Sequence, residues 1–335
     1  MSDSRLDVVG IGNAIVDVIS NADDAFLIRH GLDKGAMRLI DEETAERLYG
    51  EMGPGLECSG GSAANSMVAL AGLGGRAAYI GKVKDDTLGR VFAHDIRASG
   101  VTFDSSYANS GAATARCLIL VTPDAQRTMN TFLGASTDFG PDDLQINLIA
   151  AAKITYLEGY LWDKPAAKEA FRQAVSHAHS NGRKVALSLS DPFCVDRHRA
   201  DFLKLIKDEV DILFANEAEL RSLYEADEFD KALQQVRGHC EVAALTRSEK
   251  GAVVVSGDEL HVIDAAPVAR VVDTTGAGDF YAAGFLYGLA NGFDLARCGR
   301  LGALAAAEVI GHFGARPESP LAPLVEASAR PLPKR

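Results

Sequence analysis

The sequence predicts an α/β fold, with a mainly parallel central sheet, helices on both faces and a small β-rich lid. Three observations carry that expectation. From Ile154 onward, short apolar runs alternate with helical patterns, as βα units do. Two glycine turns, Gly60-Gly61 and Gly276-Ala277-Gly278, each feed a run of small and apolar residues with helical character. Thr114 to Thr122 and Thr128 to Leu133 are β-rich segments joined through Pro123-Asp124, a hairpin that need not belong to the central sheet.

Taken in order, Leu6 to Ile11 reads as a first strand ending at Gly12. Gly10-Ile11-Gly12 does not open a dinucleotide fingerprint, because the third glycine would fall at Ile15 and no good helix follows. Asn13 and Asp17 are two polar residues in an apolar stretch, with Asp17 placed at the end of that first strand. A helical piece near Asp24 to His30, a strand at Ala36 to Ile40 and a helix from Asp41 or Glu42 to about Tyr49 precede the Gly60-Gly61 turn. Ala77 to Val83 and a helix to Ser99 form the next βα unit, and the hairpin follows. Beyond Ile154 to Leu157 the pattern predicts helices at Pro165 to Asn181, His198 to Lys207 and Glu217 to Tyr224. The strands between and after them are Lys184 to Ser188, Ile212 to Phe214, Ala243 to Thr246 and Ala252 to Val255. Ala269 to Val272 reads as a strand end before the second glycine turn. Helices to Ala290 and from Leu295 to Ile310 come next. The main domain therefore runs from residue 1 to about 320, with lid segments near 19–40 and 114–133 and a loosely held tail at 321–335.

Composition bounds the function. A chain of 335 residues with 47% hydrophobic and 24% charged residues is a folded globular protein, and a formal charge of −12 argues against a nucleic-acid partner. No apolar run reaches membrane-spanning length and the N-terminus lacks a signal-like pattern, which predicts a cytoplasmic protein. The five cysteines form no C-x-x-C pair, so neither a disulfide framework nor a zinc site is expected.

The stretch Asp273-Thr274-Thr275-Gly276-Ala277-Gly278-Asp279 is the chemical centre. Glycines let a ligand approach the backbone, and the first turn of a helix offers unpaired N–H groups at a positive dipole end, which makes an anion hole. Asp279 suits the helix dipole, but it would repel a phosphate held beside it, which points to a proton acceptor; otherwise it is an ordinary N-terminal acidic residue. At the Gly60-Gly61 turn, Ser62 is a capping candidate and Asn65 can both donate to and accept from a hydroxyl. Asp17 can take two hydrogen bonds from a sugar diol. Asn216 and Glu219, three apart on a helix after a strand, are a candidate pair for hydrated magnesium or a plain acidic helix start. Thr246 and Gly251 can face a nucleotide, which must bind without a P-loop, since no G-x-x-x-x-G-K-[ST] occurs. Arg127, beside the hairpin turn, can be swung over a phosphate by a lid.

This ordered set, Gly12-Asn13 with Asp17, Gly60-Gly61 with Asn65, Asn216 with Glu219, Thr246 with Gly251, and Asp273 to Asp279, resembles the ribokinase-like (PfkB) family of carbohydrate and nucleoside kinases over nearly the whole chain. Within it the adenosine kinases are most similar, through Gly12-Asn13-Ala14-Ile15-Val16-Asp17, Leu187 to Phe193 and the position of Arg127, with Ala14, Ser188 and Asp191 departing from their pattern. The resemblance implies a ribokinase-like fold and ATP-dependent phosphorylation of a primary hydroxyl, adenosine to AMP in purine salvage. It implies Asp279 as base, with the backbone of Gly276, Ala277 and Gly278 and the side chain of Arg127 around the transferring phosphoryl. Asn13, Asp17, Gly60, Gly61, Ser62 and Asn65 would hold the acceptor, and Asn216, Glu219, Thr246 and Gly251 would organise Mg-ATP. It leaves open a monovalent cation near the Asp273 turn, a monomer or a homodimer, a ribose- or fructose-type sugar kinase, and a non-catalytic nucleoside-binding protein.

Overall fold

A computed structural model describes residues 5–124 and 126–332, so the last three residues of the tail lie outside the described residues. In chain order the elements are β1 (Leu6–Ile11), β2 (Ile15–Asn21), α1 (Asp24–Arg29), β3 (Met37–Leu39), α2 (Glu42–Glu51), β4 (Gly55–Gly60), α3 (Ser62–Gly72), β5 (Ala77–Ile80) and α4 (Thr87–Ala98). There follow β6 (Ala115–Val121), β7 (Arg127–Phe132), α5 (Ile146–Ala151), β8 (Ala152–Glu158), α6 (Pro165–Ser180), β9 (Lys184–Ser188), α7 (Pro192–Asp208), β10 (Ile212–Asn216), α8 (Glu217–Leu223) and α9 (Phe229–Val236). The chain continues through β11 (Val242–Thr246), β12 (Ala252–Ser256), β13 (Glu259–Ile263), α10 (Ala277–Ala290), α11 (Leu295–Val309) and α12 (Ala322–Ala327).

The large sheet has the order β13-β12-β11-β10-β9-β8-β1-β5 and is parallel from β5 to β11, with β12 and β13 antiparallel at one edge. Its inner strands are apolar on both faces. Tyr156, Ala186, Phe214 and Ala244 point into one core, with α3, α4, α10 and α11, while Leu157, Leu187, Leu213 and Leu245 point into the other, with α5 to α9. This is the doubly covered, mainly parallel sheet that the alternating pattern predicts. Helices α10 and α11 pack at close range: a Cβ at Gly284 would stand 2.7 Å from Leu301 O.

The second sheet, of order β3-β7-β6-β2-β4, is the lid. It takes in Ile15–Asn21 and Gly55–Gly60 as well as the two expected segments. Asp17 is thus not at the end of the first strand; Gly12 to Ala14 break the chain, and Asp17 sits mid-strand in β2, opposite Cys58 and Cys117.

Three further expectations are corrected. Ala269–Val272 is not strand: Val272 N–H donates to Ile310 O at 2.8 Å, so this stretch lies along the end of α11 rather than beside a sheet neighbour. The helix expected from His198 begins at Pro192, because Asp191 caps it and Pro192 takes its first position; His198 is a kink inside it. The tail is not loose over 321–332. Leu321 is buried, and Arg297 and Arg300 donate to the carbonyls of Val325 and Ser328, which docks α12 on α11.

Candidate active site

Aspartates cap α1, α2, α4, α7 and α11 by accepting from a first-turn N–H. Helices α3 and α10 begin differently. Their N-caps are Gly61 (φ 97°) and Gly276 (φ 80°), with no side-chain cap from the N-cap residue; in α3 the Ala63 N–H donates instead to Glu158 Oε2 at 2.8 Å. The Gly61 conformation is forced, since a Cβ there would lie 2.1 Å from Asn13 O. At Gly278 the opposite holds, with nothing within 4 Å of a Cβ, so the backbone there is open to a ligand. Ala277 N–H turns back onto Thr274 O at 3.2 Å, which leaves Gly278 and Asp279 as the less encumbered donors of that turn.

These two helix starts meet through Asp279. Ser62 Oγ donates to Asp279 Oδ1 at 2.6 Å, and Asn65 Nδ2 donates to Oδ2 at 3.0 Å. Burial drives the Asp279 carboxyl up to about 6, against the opposing pull of Ser62, Asn65 and the Arg316 charge. It faces a cleft of about 800 Å³ that is also lined by Ser62, Asn216, Glu219, Thr246, Gly251 and the Gly276 to Gly278 turn. The sequence-predicted residues of the phosphate and nucleotide sides therefore share one cavity. One wall of it, with Ala266, Val268, Ala303, Ala307 and Ile310, is apolar.

The remaining predicted residues stand behind or beside this cleft. Asp17 is half-buried and also raised to about 6 by burial, with Arg316 and Arg127 opposing that rise and Asp279 adding to it. Gly60 lies against it: a Cβ there would fall 2.6 Å from the Asp17 carboxylate. Asn13 is buried, and its Nδ2 donates to Glu158 Oε1 at 2.8 Å. Arg127 donates to Asp273 and to Thr275 Oγ1, the latter at 2.8 Å, so the lid strand β7 is tied to the turn before α10. Asn216 and Glu219 form a reciprocal capping box at the start of α8. Glu219 is buried and raised to about 7, chiefly by desolvation. Thr246 ends β11, and Gly251, at φ 81°, turns the chain into β12.

Two site residues escaped the sequence reading. Glu158 is buried, accepts from Asn13 Nδ2 and from Ala63 N–H, and is raised to about 7 by desolvation. Its signal was present, as a carboxylate closing the apolar run Ile154 to Leu157. Arg316 donates to Asn65 Oδ1 and Ser59 Oγ, both at 2.7 Å, from a stretch with no periodic pattern to place it.

Among the described residues, no group of three or more His, Cys, Asp or Glu side chains could hold a metal ion, and no helix is long and apolar enough to cross a membrane. All five cysteines are free.

Known proteins share this fold. A family model described as pfkB family carbohydrate kinase matches residues 55–322. The chain is similar to an adenosine kinase from Sinorhizobium meliloti, at 51% identity and a TM-score of 0.89 over 97% of this chain and 99% of that one. It is similar also to a probable sugar kinase from Rhizobium etli, at 50% identity and a TM-score of 0.90 over the same shares, 97% and 99%. The adenosine kinase of Saccharomyces cerevisiae is 26% identical over 310 residues, which cover 86% of this chain and 90% of that protein. On this match and this geometry, the chain belongs to the PfkB family of carbohydrate and nucleoside kinases, phosphotransferases that act on an alcohol group.

Proposed function

We propose that the protein moves the terminal phosphoryl of Mg-ATP to the primary 5′-hydroxyl of a nucleoside, adenosine first, as a cytoplasmic purine-salvage reaction, acting as a monomer or a homodimer. The observation that carries this reading is the Asp279 carboxylate, held by Ser62 and Asn65 beside the uncapped start of α10. The acceptor hydroxyl lies against Asp279, which takes its proton as the oxygen attacks phosphorus. The less encumbered N–H groups of Gly278 and Asp279 at the Gly276–Gly278 turn and the α10 dipole stabilise the charge on the transferring oxygens. Asp17 holds the ribose diol from the lid side. The apolar wall at Ala266 and Ala307 suits the purine of ATP, and Thr246 and Gly251 lie along the same cleft.

The residues present fit magnesium only as an ion carried by phosphate oxygens and water. The Glu219 carboxylate accepts from Asn216 in the capping box, so these two residues reach the ion through water rather than caging it. When bound, magnesium neutralises phosphate charge. The 51% identity with an adenosine kinase supports adenosine, while the 50% identity with a probable sugar kinase keeps ribose and fructose as the second reading. The test is ADP formation from Mg-ATP with adenosine, inosine, guanosine, ribose and fructose in parallel. Turnover with adenosine well above the rest is expected. Turnover with a free sugar alone would replace the nucleoside by that sugar, and ATP binding without turnover of any acceptor would favour a non-catalytic binder.

A further inference from the structure

Arg316 lies in the coil after α11, yet its guanidinium reaches three other parts of the fold. Nη1 donates to Asn65 Oδ1 on α3 at 2.7 Å and to its own neighbour Ala315 O at 2.8 Å. Nη2 donates to Ser59 Oγ on the lid strand β4 at 2.7 Å. Ser59 Oγ and N–H in turn donate to Asp95 Oδ2 on α4 at 2.6 and 2.7 Å, and Arg316 Nε stands 3.9 Å from that same oxygen. A chain of charge-assisted bonds thus runs from Asp95 through Ser59, Arg316 and Asn65 to Asp279.

This arrangement removes a degeneracy. An asparagine amide has a donor end and an acceptor end of nearly the same shape, and nothing in α3 alone prefers one orientation. A guanidinium can only donate, and an ionised carboxylate can only accept. With Arg316 on one side and Asp279 on the other, only one orientation of Asn65 makes two bonds; the flipped amide would set NH2 against guanidinium and carbonyl against carboxylate.

We propose that Arg316 is a positioning residue for the phosphoryl transfer, which locks the Asn65 amide so that its NH2 group points at Asp279 and couples the lid strand β4 to the catalytic helix. The inference rests on Asp279 being the base. Titratable groups that act on Asp279 or feel its charge come from every side: Asp17 on β2, Tyr156 and Glu158 on β8, Tyr160 just beyond it, Glu219 on α8, and Arg316. Of these Arg316 is the cation, and it holds down both Asp279 and Asp17.

The experiment is the pH profile of kcat and kcat/KM for Arg316→Met, Arg316→Lys and Asp279→Asn beside the parent, with folding checked by circular dichroism. Arg316→Met is expected to lose at least tenfold in kcat and to move the acid limb of kcat/KM upward by roughly half to one pH unit. Arg316→Lys keeps the charge but cannot span Asn65 and Ser59 together, so it should lose kcat while its acid limb stays near the parent's. Added guanidinium should restore part of kcat in Arg316→Met. An unmoved limb with near-parental kcat in Arg316→Met, while Asp279→Asn is inactive, overturns the role of Arg316 and leaves the base in place. Near-parental activity in Asp279→Asn overturns the base reading, and the inference with it. If the methionine variant does not fold, full kcat in Arg316→Lys overturns the proposal on its own.

Discussion

Asp279 carries a conflict that sets its chemistry. It stands at the third position of α10, where a carboxylate favours the helix dipole, but burial lifts it from the ordinary 3.8 to about 6. On the proposal that Asp279 is the base it must be ionised to take a proton, so activity should fall as pH drops through about 6, and Asp17, proposed to hold the acceptor and raised to about 6 as well, should steepen the fall. The acid limb of kcat/KM is expected there; a limb near pH 4, where a solvated aspartate titrates, would contradict this environment. The same burial is a stability cost at neutral pH. Asp279→Asn is expected to raise the melting temperature at pH 7 while turnover falls steeply, because the Ser62 hydroxyl can turn to accept from the new amide. A lower melting temperature in that variant would show that the carboxylate stabilises the fold.

Two helix starts built on glycine separate structure from chemistry. Gly61→Ala should destabilise the fold, since φ 97° is unfavourable for alanine and its Cβ would strike Asn13 O. Gly278→Ala should keep or raise stability, by up to about 1 kcal/mol on helix propensity, while turnover falls because a methyl now crowds the phosphoryl site. Urea melts and steady-state rates on both variants check this; equal stability losses would remove the distinction. At the lid, Arg127 and Asp273 form an ion pair whose side chains are 9% and 7% exposed. Arg127→Ala should cost about 3 kcal/mol, the lower end for breaking a buried pair, because Asp273 keeps Thr275 and Gly314 as donors. A loss below 1 kcal/mol in denaturant melts would mean that the pair is solvated. The sequence made β9, β10 and β11 readable because their apolar runs and bounding turns are local signals. It hid the strand nature of Asp17 and of Gly55–Gly60, because register across the lid is set by partners far along the chain. Asn216 and Glu219 were equally ambiguous in sequence: a capping box and a magnesium pair share the same spacing. Arg316 left no trace, since a lone arginine in an aperiodic stretch gives no clue to what it reaches.

Across the whole molecule, four carboxylates are held above their ordinary range at or beneath one cleft: Asp17 and Asp279 at about 6, Glu158 and Glu219 at about 7. Between about pH 4 and 7 the folded protein binds more protons at these groups than the unfolded chain does, so stability falls as pH rises through that window. Asp7, held near 2 by its hydrogen bonds to Arg76 and Lys153 against desolvation, acts oppositely: its stabilisation is present above about pH 4 and is lost as pH falls toward 2. Thermal melts of the free protein should therefore show a higher midpoint near pH 5 than near pH 8; a midpoint that climbs steadily to pH 8 would contradict the buried carboxylate set. A site so costly to keep ionised is expected where chemistry needs it. Its most direct test is ADP release from Mg-ATP and adenosine by Asp279→Asn, compared with the parent at pH 7.5 under saturating substrates. A fall in kcat of about 10²–10⁴ with adenosine binding retained is expected of a lost general base, whereas an Asp279→Asn enzyme that turns over within a few-fold of the parent would show that the proton leaves by another route.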